Sequence, residues 1–157
     1  MKKTLSIILS ITLIGLVVSC GDKHFYNKEY QMTNGWDRDS LLKFEVEISD
    51  TLAPYTVFFI IGNDDAYMYR NLYMFVTIDF PKGIQRIDTV DCMLADAKGK
   101  WYGKEVEDNR YENLLLYRDK VRFPFKGKYI FTLEQAMRHK VMNGINKIGL
   151  RIEKAKK

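Results

Sequence analysis

The chain has 157 residues, 46% of them hydrophobic and 29% charged, with 25 Lys and Arg against 20 Asp and Glu. That length supports one domain with a real core and not two comfortable ones. The cations are interspersed with acids and gather only at Lys154, Lys156 and Lys157. The concentrated basic stripe of a nucleic-acid-binding module is missing, so no nucleic-acid partner is expected.

Lys2 and Lys3 precede a run from Leu5 to Val18 that is apolar apart from Ser6, Ser10, Thr12 and Gly15. A basic start, an apolar core of about 7–15 residues and a small residue before the cut describe a secretory signal. The run falls short of the roughly 20 residues that a membrane-spanning helix needs. Val17-Val18-Ser19-Cys20 resembles the lipobox of bacterial lipoproteins. The resemblance implies that residues 1–19 are removed and that Cys20 carries lipid on its sulfur and its amine. Two or more acyl chains anchor a protein stably where one does not, so a membrane is the expected partner of this end. The competing reading is an ordinary signal, or a short anchor, with Cys20 incidental. Gly21-Asp22-Lys23 contains no acidic run that would read as a surface-export signal, which favours a periplasm-facing position.

Residues 20–40 show little periodicity and read as a tether ending near the turn dipeptide Asn34-Gly35. Residues 41–157 then read as the folded domain. Leu42, Phe44, Val46 and Ile48 alternate with Lys43, Glu45 and Glu47, which predicts a half-buried strand. Tyr55 to Ile61 is a short continuous apolar run, as in a strand buried on both faces. Leu72 to Phe80 and Ile84 to Leu94 predict two more strands, separated by the turn Pro81-Lys82-Gly83. Asp108 to Asp119 is ambiguous, since Leu114-Leu115-Leu116 fits a helical turn or a strand. Pro124 holds Phe123 extended. Tyr129, Phe131 and Leu133 alternate, as do Ile148, Leu150 and Ile152, and Glu134 to Met142 has a helical composition capped by Asn143-Gly144. Seven or eight short strands predict an all-β, antiparallel two-sheet β-sandwich with one short helix near the C-terminus. Nine Phe, ten Tyr and two Trp suit that fold, because aromatic side chains fit a half-buried pleated surface.

Catalytic chemistry is hard to find. Beyond residue 19 only Ser40 and Ser49 remain as serines, and neither lies in a Gly-x-Ser-x-Gly elbow. A thiol nucleophile would have to be Cys92 with His24 or His139 as base, but Cys92 shares an apolar strand face with Val90 and Leu94 and is expected to be buried and inert. Two histidines and that thiol are too widely spaced for a zinc site, and no metal or other cofactor is expected. Asp64-Asp65, Asp37 with Asp39, and Glu105-Glu107-Asp108 are the acid groups that could serve a glycosidase-like pair or calcium, with turn-forming acids as the commoner explanation. Trp36 and Trp101 adjoin Gly35 and Gly103 near sheet ends. Exposed, they would contact a partner or stack on a sugar ring; buried, they plug the domain, which is the more frequent arrangement.

The order of Asn34-Gly35-Trp36, Pro54-Tyr55, Asn71-Leu72-Tyr73, Trp101-Tyr102-Gly103, Gly127-Lys128-Tyr129, Gln135-Ala136-Met137-Arg138 and Gly149-Leu150-Arg151-Ile152-Glu153 resembles the gliding motility lipoprotein GldH family. The resemblance implies a non-catalytic envelope lipoprotein of the Bacteroidetes, with protein partners in a gliding apparatus linked to type IX secretion. Arg138 and Arg151 lie inside the resembling motifs. An arginine there pairs with a carboxylate and covers apolar surface with its stem, or else recognises a partner. The alternative function is a surface glycan-binding lipoprotein with an aromatic binding face.

Overall fold

The computed structural model describes residues 25–155. The signal segment, Cys20, Gly21-Asp22-Lys23, His24, Lys156 and Lys157 lie outside the described residues. The strands are β1 (Tyr26–Gln31), β2 (Trp36–Asp37), β3 (Leu42–Ile48), β4 (Tyr55–Asp64), β5 (Asn71–Asp79), β6 (Gln85–Met93), β7 (Lys104–Glu107), β8 (Arg110–Val121), β9 (Gly127–Gln135), β10 (Val141–Met142) and β11 (Ile145–Lys154). Every strand pairing is antiparallel. One sheet has the order β1-β11-β4-β8-β7, a second β3-β9-β5-β6, and a two-stranded piece joins β10 to β2.

Alternation in sequence becomes alternation in burial. Phe44, Val46 and Ile48 of β3, Leu72, Met74 and Val76 of β5, and Tyr129, Phe131 and Leu133 of β9 are buried. They meet Val57, Phe59 and Ile61 of β4 and Ile148, Leu150 and Ile152 of β11 in one hydrophobic cluster fed by both larger sheets. Burying each such side chain contributes about 1.5–3 kcal/mol. The ambiguous Asp108–Asp119 stretch is largely β8, because Leu114, Leu115 and Leu116 pair in register with Ile60, Phe59 and Phe58.

The expected C-terminal helix is not present. β9 runs on through Glu134 and Gln135, with Gln135 opposite Met74, and the helical element among the described residues is only a 3-10 turn at Pro81–Gly83. Burial explains the difference: Gln135 continues the inward series Tyr129, Phe131, Leu133 and is itself fully buried. A period of two had therefore not ended where the helical composition began. Its side-chain amide donates to the carbonyls of His139 and Lys140, both at 2.9 Å, and its Oε1 accepts from the Met137 amide at 2.8 Å. One buried side chain thus satisfies backbone groups that a helix would have satisfied internally.

Folded structure also begins earlier than residue 41. β1, placed by the sequence reading in the tether, pairs along its whole length with β11. Phe25, Tyr26 and Tyr30 pack against the core. β2 then carries Trp36 into the interior. The turns at Gly35 and Gly144 need glycine, with φ of +76° and +81°. A Cβ at Gly144 would lie 2.2 Å from the Tyr67 amide nitrogen, and one at Gly35 2.6 Å from the Met142 carbonyl oxygen. Asn143-Gly144 accordingly turns the chain from β10 into β11 and caps no helix.

The two larger sheets touch along both lateral edges. On one side β1 meets β3: the Tyr30 hydroxyl donates to the Lys43 carbonyl at 2.7 Å, and the Tyr30 and Phe44 rings sit edge to face at 5.2 Å. On the other side β8 meets β6 through Asp88, which accepts from Arg118 at 2.7 Å and from the Tyr117 hydroxyl.

Candidate interaction surface

The loops at one end of the sheets, between β4 and β5, between β6 and β7, and between β9 and β10, assemble an aromatic cluster. Tyr67 is buried and donates its hydroxyl to the Asn71 carbonyl at 2.7 Å, which fixes the loop entering β5. Burial pushes the Tyr67 hydroxyl well above the ordinary tyrosine range. Its ring lies 5.8 Å from Tyr69 and 6.4 Å from Trp101. Trp101 also lies 6.0 Å from Tyr111, and Tyr69 lies 6.1 Å from His139. Around this partly covered cluster Met68 and Tyr102 are largely exposed, at 77% and 63%. An exposed methionine beside fixed aromatics is an adaptable apolar contact surface.

Trp101 forms an isolated bridge with Ala95, and its indole N–H donates to Asp65 Oδ1 at 2.9 Å. The ring is therefore held at a set angle and half-buried. Trp36 differs. It is 1% exposed, its indole N–H donates to the Ser40 carbonyl at 3.0 Å, and its ring belongs to the core, so it offers no contact area at the surface. Arg138 is exposed in the loop organised by Gln135. Arg151 lies on the outward side of β11, half-buried, with its Nε donating to Asn27 Oδ1 at 3.2 Å. The structure thus places Trp101 and Arg138 in loops at one end, and leaves Trp36 inside and Arg151 on an outer sheet face.

Arg38 was not singled out in the sequence. Its guanidinium donates to the Met137 carbonyl and, at 3.5 Å, to that of His139, so it braces the Arg138 loop together with Gln135. No local signal marks it, since these partners lie 99 and 101 residues away. Asn71, at the start of β5, donates its side-chain amide to Asp91 Oδ1 of β6 at 2.7 Å.

Most of the acid groups considered for catalysis or calcium are engaged in turns and pairs. Asp64 Oδ1 accepts the Ala66 amide, Asp65 the Trp101 indole, Asp37 the Asp39 amide, and Asp39 pairs with Lys140 at 3.0 Å. Glu107 pairs with Arg110, and Glu105 accepts the Asn109 amide. Among the described residues no three His, Cys, Asp or Glu converge as metal ligands. Cys92 sits on the inward side of β6, 3% exposed, and burial pushes its thiol up to about 12. At neutral pH almost none of it is the nucleophilic thiolate.

Residues 24–152 match the family described as GldH lipoprotein. The chain is 34% identical to the gliding motility lipoprotein GldH homolog of Christiangramia forsetii, over 99% of each chain. It is 29% identical to the gliding motility lipoprotein GldH of Flavobacterium johnsoniae, over 88% of this chain and 89% of that one. Among solved structures, AlgX of Pseudomonas aeruginosa aligns with 87% of this chain at a TM-score of 0.41 and 17% identity. This chain spans 27% of that one, and the likeness is too slight to relate the two folds.

Proposed function

Starting from the GldH lipoprotein family, to which this chain belongs, we propose that it is a non-catalytic component of a gliding and secretion assembly, anchored in an envelope membrane by lipid on Cys20. The near full-length match to gliding motility lipoproteins is the observation that carries this reading. The two larger sheets act as a β-sandwich that holds the loop end rigid, facing the periplasm. Tethering raises the effective concentration of that surface for neighbouring proteins without any new contact. Trp101 and Arg138, on loops fixed by Asp65, Gln135 and Arg38, are the residues assigned to a partner, with Arg151 contributing from the outer sheet face.

The test is crosslinking in living cells, followed by recovery of the tagged protein and mass spectrometry of what accompanies it. Gliding or secretion components that are enriched with the native chain and lost with Cys20→Ala support the reading. Recovery of the same proteins from a soluble Cys20→Ala form would remove the role of the anchor.

A second reading is favoured by one observation, the fixed Trp101 ring beside Tyr67 and Tyr111 with Tyr102 exposed next to it. Such a platform suits a sugar ring. Saturable calorimetric binding of a polysaccharide, lost in Trp101→Ala, would establish a glycan-binding lipoprotein instead.

A further inference from the structure

Between β6 and β8, on the side of the molecule away from the β1–β3 contact, the two larger sheets leave a cleft of about 350 Å³. Its buried lining residues are Val57, Ile78 and Phe131, from β4, β5 and β9, and Phe123, which follows β8. Arg86, Arg118 and Arg122 also line it, and Val121 forms part of one wall. The buried part of the lining is thus apolar, and the polar side chains of the lining belong to Arg86, Arg118, Arg122 and Tyr117. This is the composition of a small-molecule site, a mostly apolar slot with a few convergent polar groups.

The charges around it are unbalanced. Asp88 is the carboxylate that meets two of these arginines, accepting from Arg118 at 2.7 Å and from Arg86 at 3.2 Å. Arg122 uses its Nε on the Leu52 carbonyl at 3.1 Å, and the neighbouring Asp119 is engaged by the Thr56 hydroxyl at 2.9 Å. A guanidinium has five N–H donors, so each of the three retains several for an incoming anion. The side chains of Arg86 and Arg118 are 54% and 40% exposed, which leaves them accessible from solvent.

We propose that this cleft binds a single-chain anionic amphiphile, with the alkyl chain between the sheets and the carboxylate on Arg86, Arg118 and Arg122. The volume accommodates on the order of a dozen non-hydrogen atoms at about 30 Å³ each, close to a medium-chain fatty acid. An alkyl chain suits the slot better than a peptide does. Peptide amides buried against Val57, Ile78 and Phe131 would lose water without gaining partners, whereas methylenes have no hydrogen bonds to lose. The guanidinium groups supply the planar, multiply donating geometry that a carboxylate accepts.

The experiment uses the full chain in nanodiscs of zwitterionic lipid, photolabelled with decanoic acid bearing a terminal diazirine, with adducts mapped by mass spectrometry. Adducts on peptides containing Val57, Ile78 and Val121 are expected. Excess decanoate should abolish them, and its methyl ester should compete at least tenfold less well. Arg86→Met and Arg118→Met should each raise the half-saturating concentration roughly threefold to tenfold, and Val121→Trp should remove the labelling by filling the slot. Adducts spread evenly over the surface, or equal competition by decanoate and its ester on the native chain, would overturn the proposal whatever the variants do. So would competition by an acidic peptide but not by decanoate, which would assign the cleft to a partner protein. The readout requires neither motility nor a partner, so its failure leaves the family-based reading standing.

Discussion

At the β1–β3 edge the sheets are closed by groups that cannot easily be competed away. A tyrosine hydroxyl and the Lys28 ammonium both donate to the Lys43 main-chain carbonyl, at 2.7 and 3.3 Å, beside an aromatic pair that continues into the core. The β6–β8 edge uses a carboxylate shared among two arginines and a tyrosine, and the packing behind it is incomplete. A carbonyl is part of the backbone and stays where the strand puts it. A carboxylate clip is held by charge, and another anion can share the same donors. Both edges therefore contribute stability, and the open one also leaves a cleft beside its clip.

The largest effect expected from testing that contrast lies behind the closed edge. Phe44→Ala removes a fully buried ring and should cost about 3–5 kcal/mol in urea unfolding. Asp88→Asn, at the open edge, should cost about 1–3 kcal/mol by leaving Arg118 and Arg86 without a charged acceptor. Its effect should also depend on pH. Burial pushes the Asp88 carboxyl up, but hydrogen bonds from Tyr117, Arg118 and Arg86 outweigh it and hold the group below the ordinary range. The stabilisation is present above an unfolded value of about 3.9 and is lost as pH falls through the lowered folded value. The gap between native chain and variant in thermal melts should accordingly narrow below about pH 4.

Tyr30→Phe should cost only about 0.5–1.5 kcal/mol, the net worth of one neutral hydrogen bond. If it cost more than Asp88→Asn, charge would not be what holds the open edge. Arg138→Ala should change stability least, within about 0.5 kcal/mol, because the side chain is exposed. Loss of gliding or secretion in that folded variant would mark the loop as a contact; unchanged function would leave Arg138 a solvated residue.

The strands that were plain in the sequence are those with one wet and one dry face. β3 reads as apolar alternating with charged from Leu42 to Ile48 and is buried at alternate positions throughout. β1 is not legible in this way because its sequence, YNKEYQ, has polar residues at most positions, and its place is fixed by pairing with β11 more than a hundred residues away. The end of β9 is obscure in the sequence for a related reason. Gln135 looks like a helix former, yet it is buried because the amide finds carbonyls in the following turn. Trp36 and Trp101 looked alike, each beside a glycine, and only packing separated the plug from the surface ring.

The amino-acid order by itself determined the β class, most strand positions, the glycine turns and the family. These depend on residue type and on periods of two, which are local properties. Tertiary structure decided which turn replaced the expected helix, how early folding begins, which tryptophan reaches the surface, and that Arg86 and Arg118 share Asp88 beside an apolar cleft. Those outcomes depend on which distant strands become neighbours, and a residue's type carries no record of what will face it across a core.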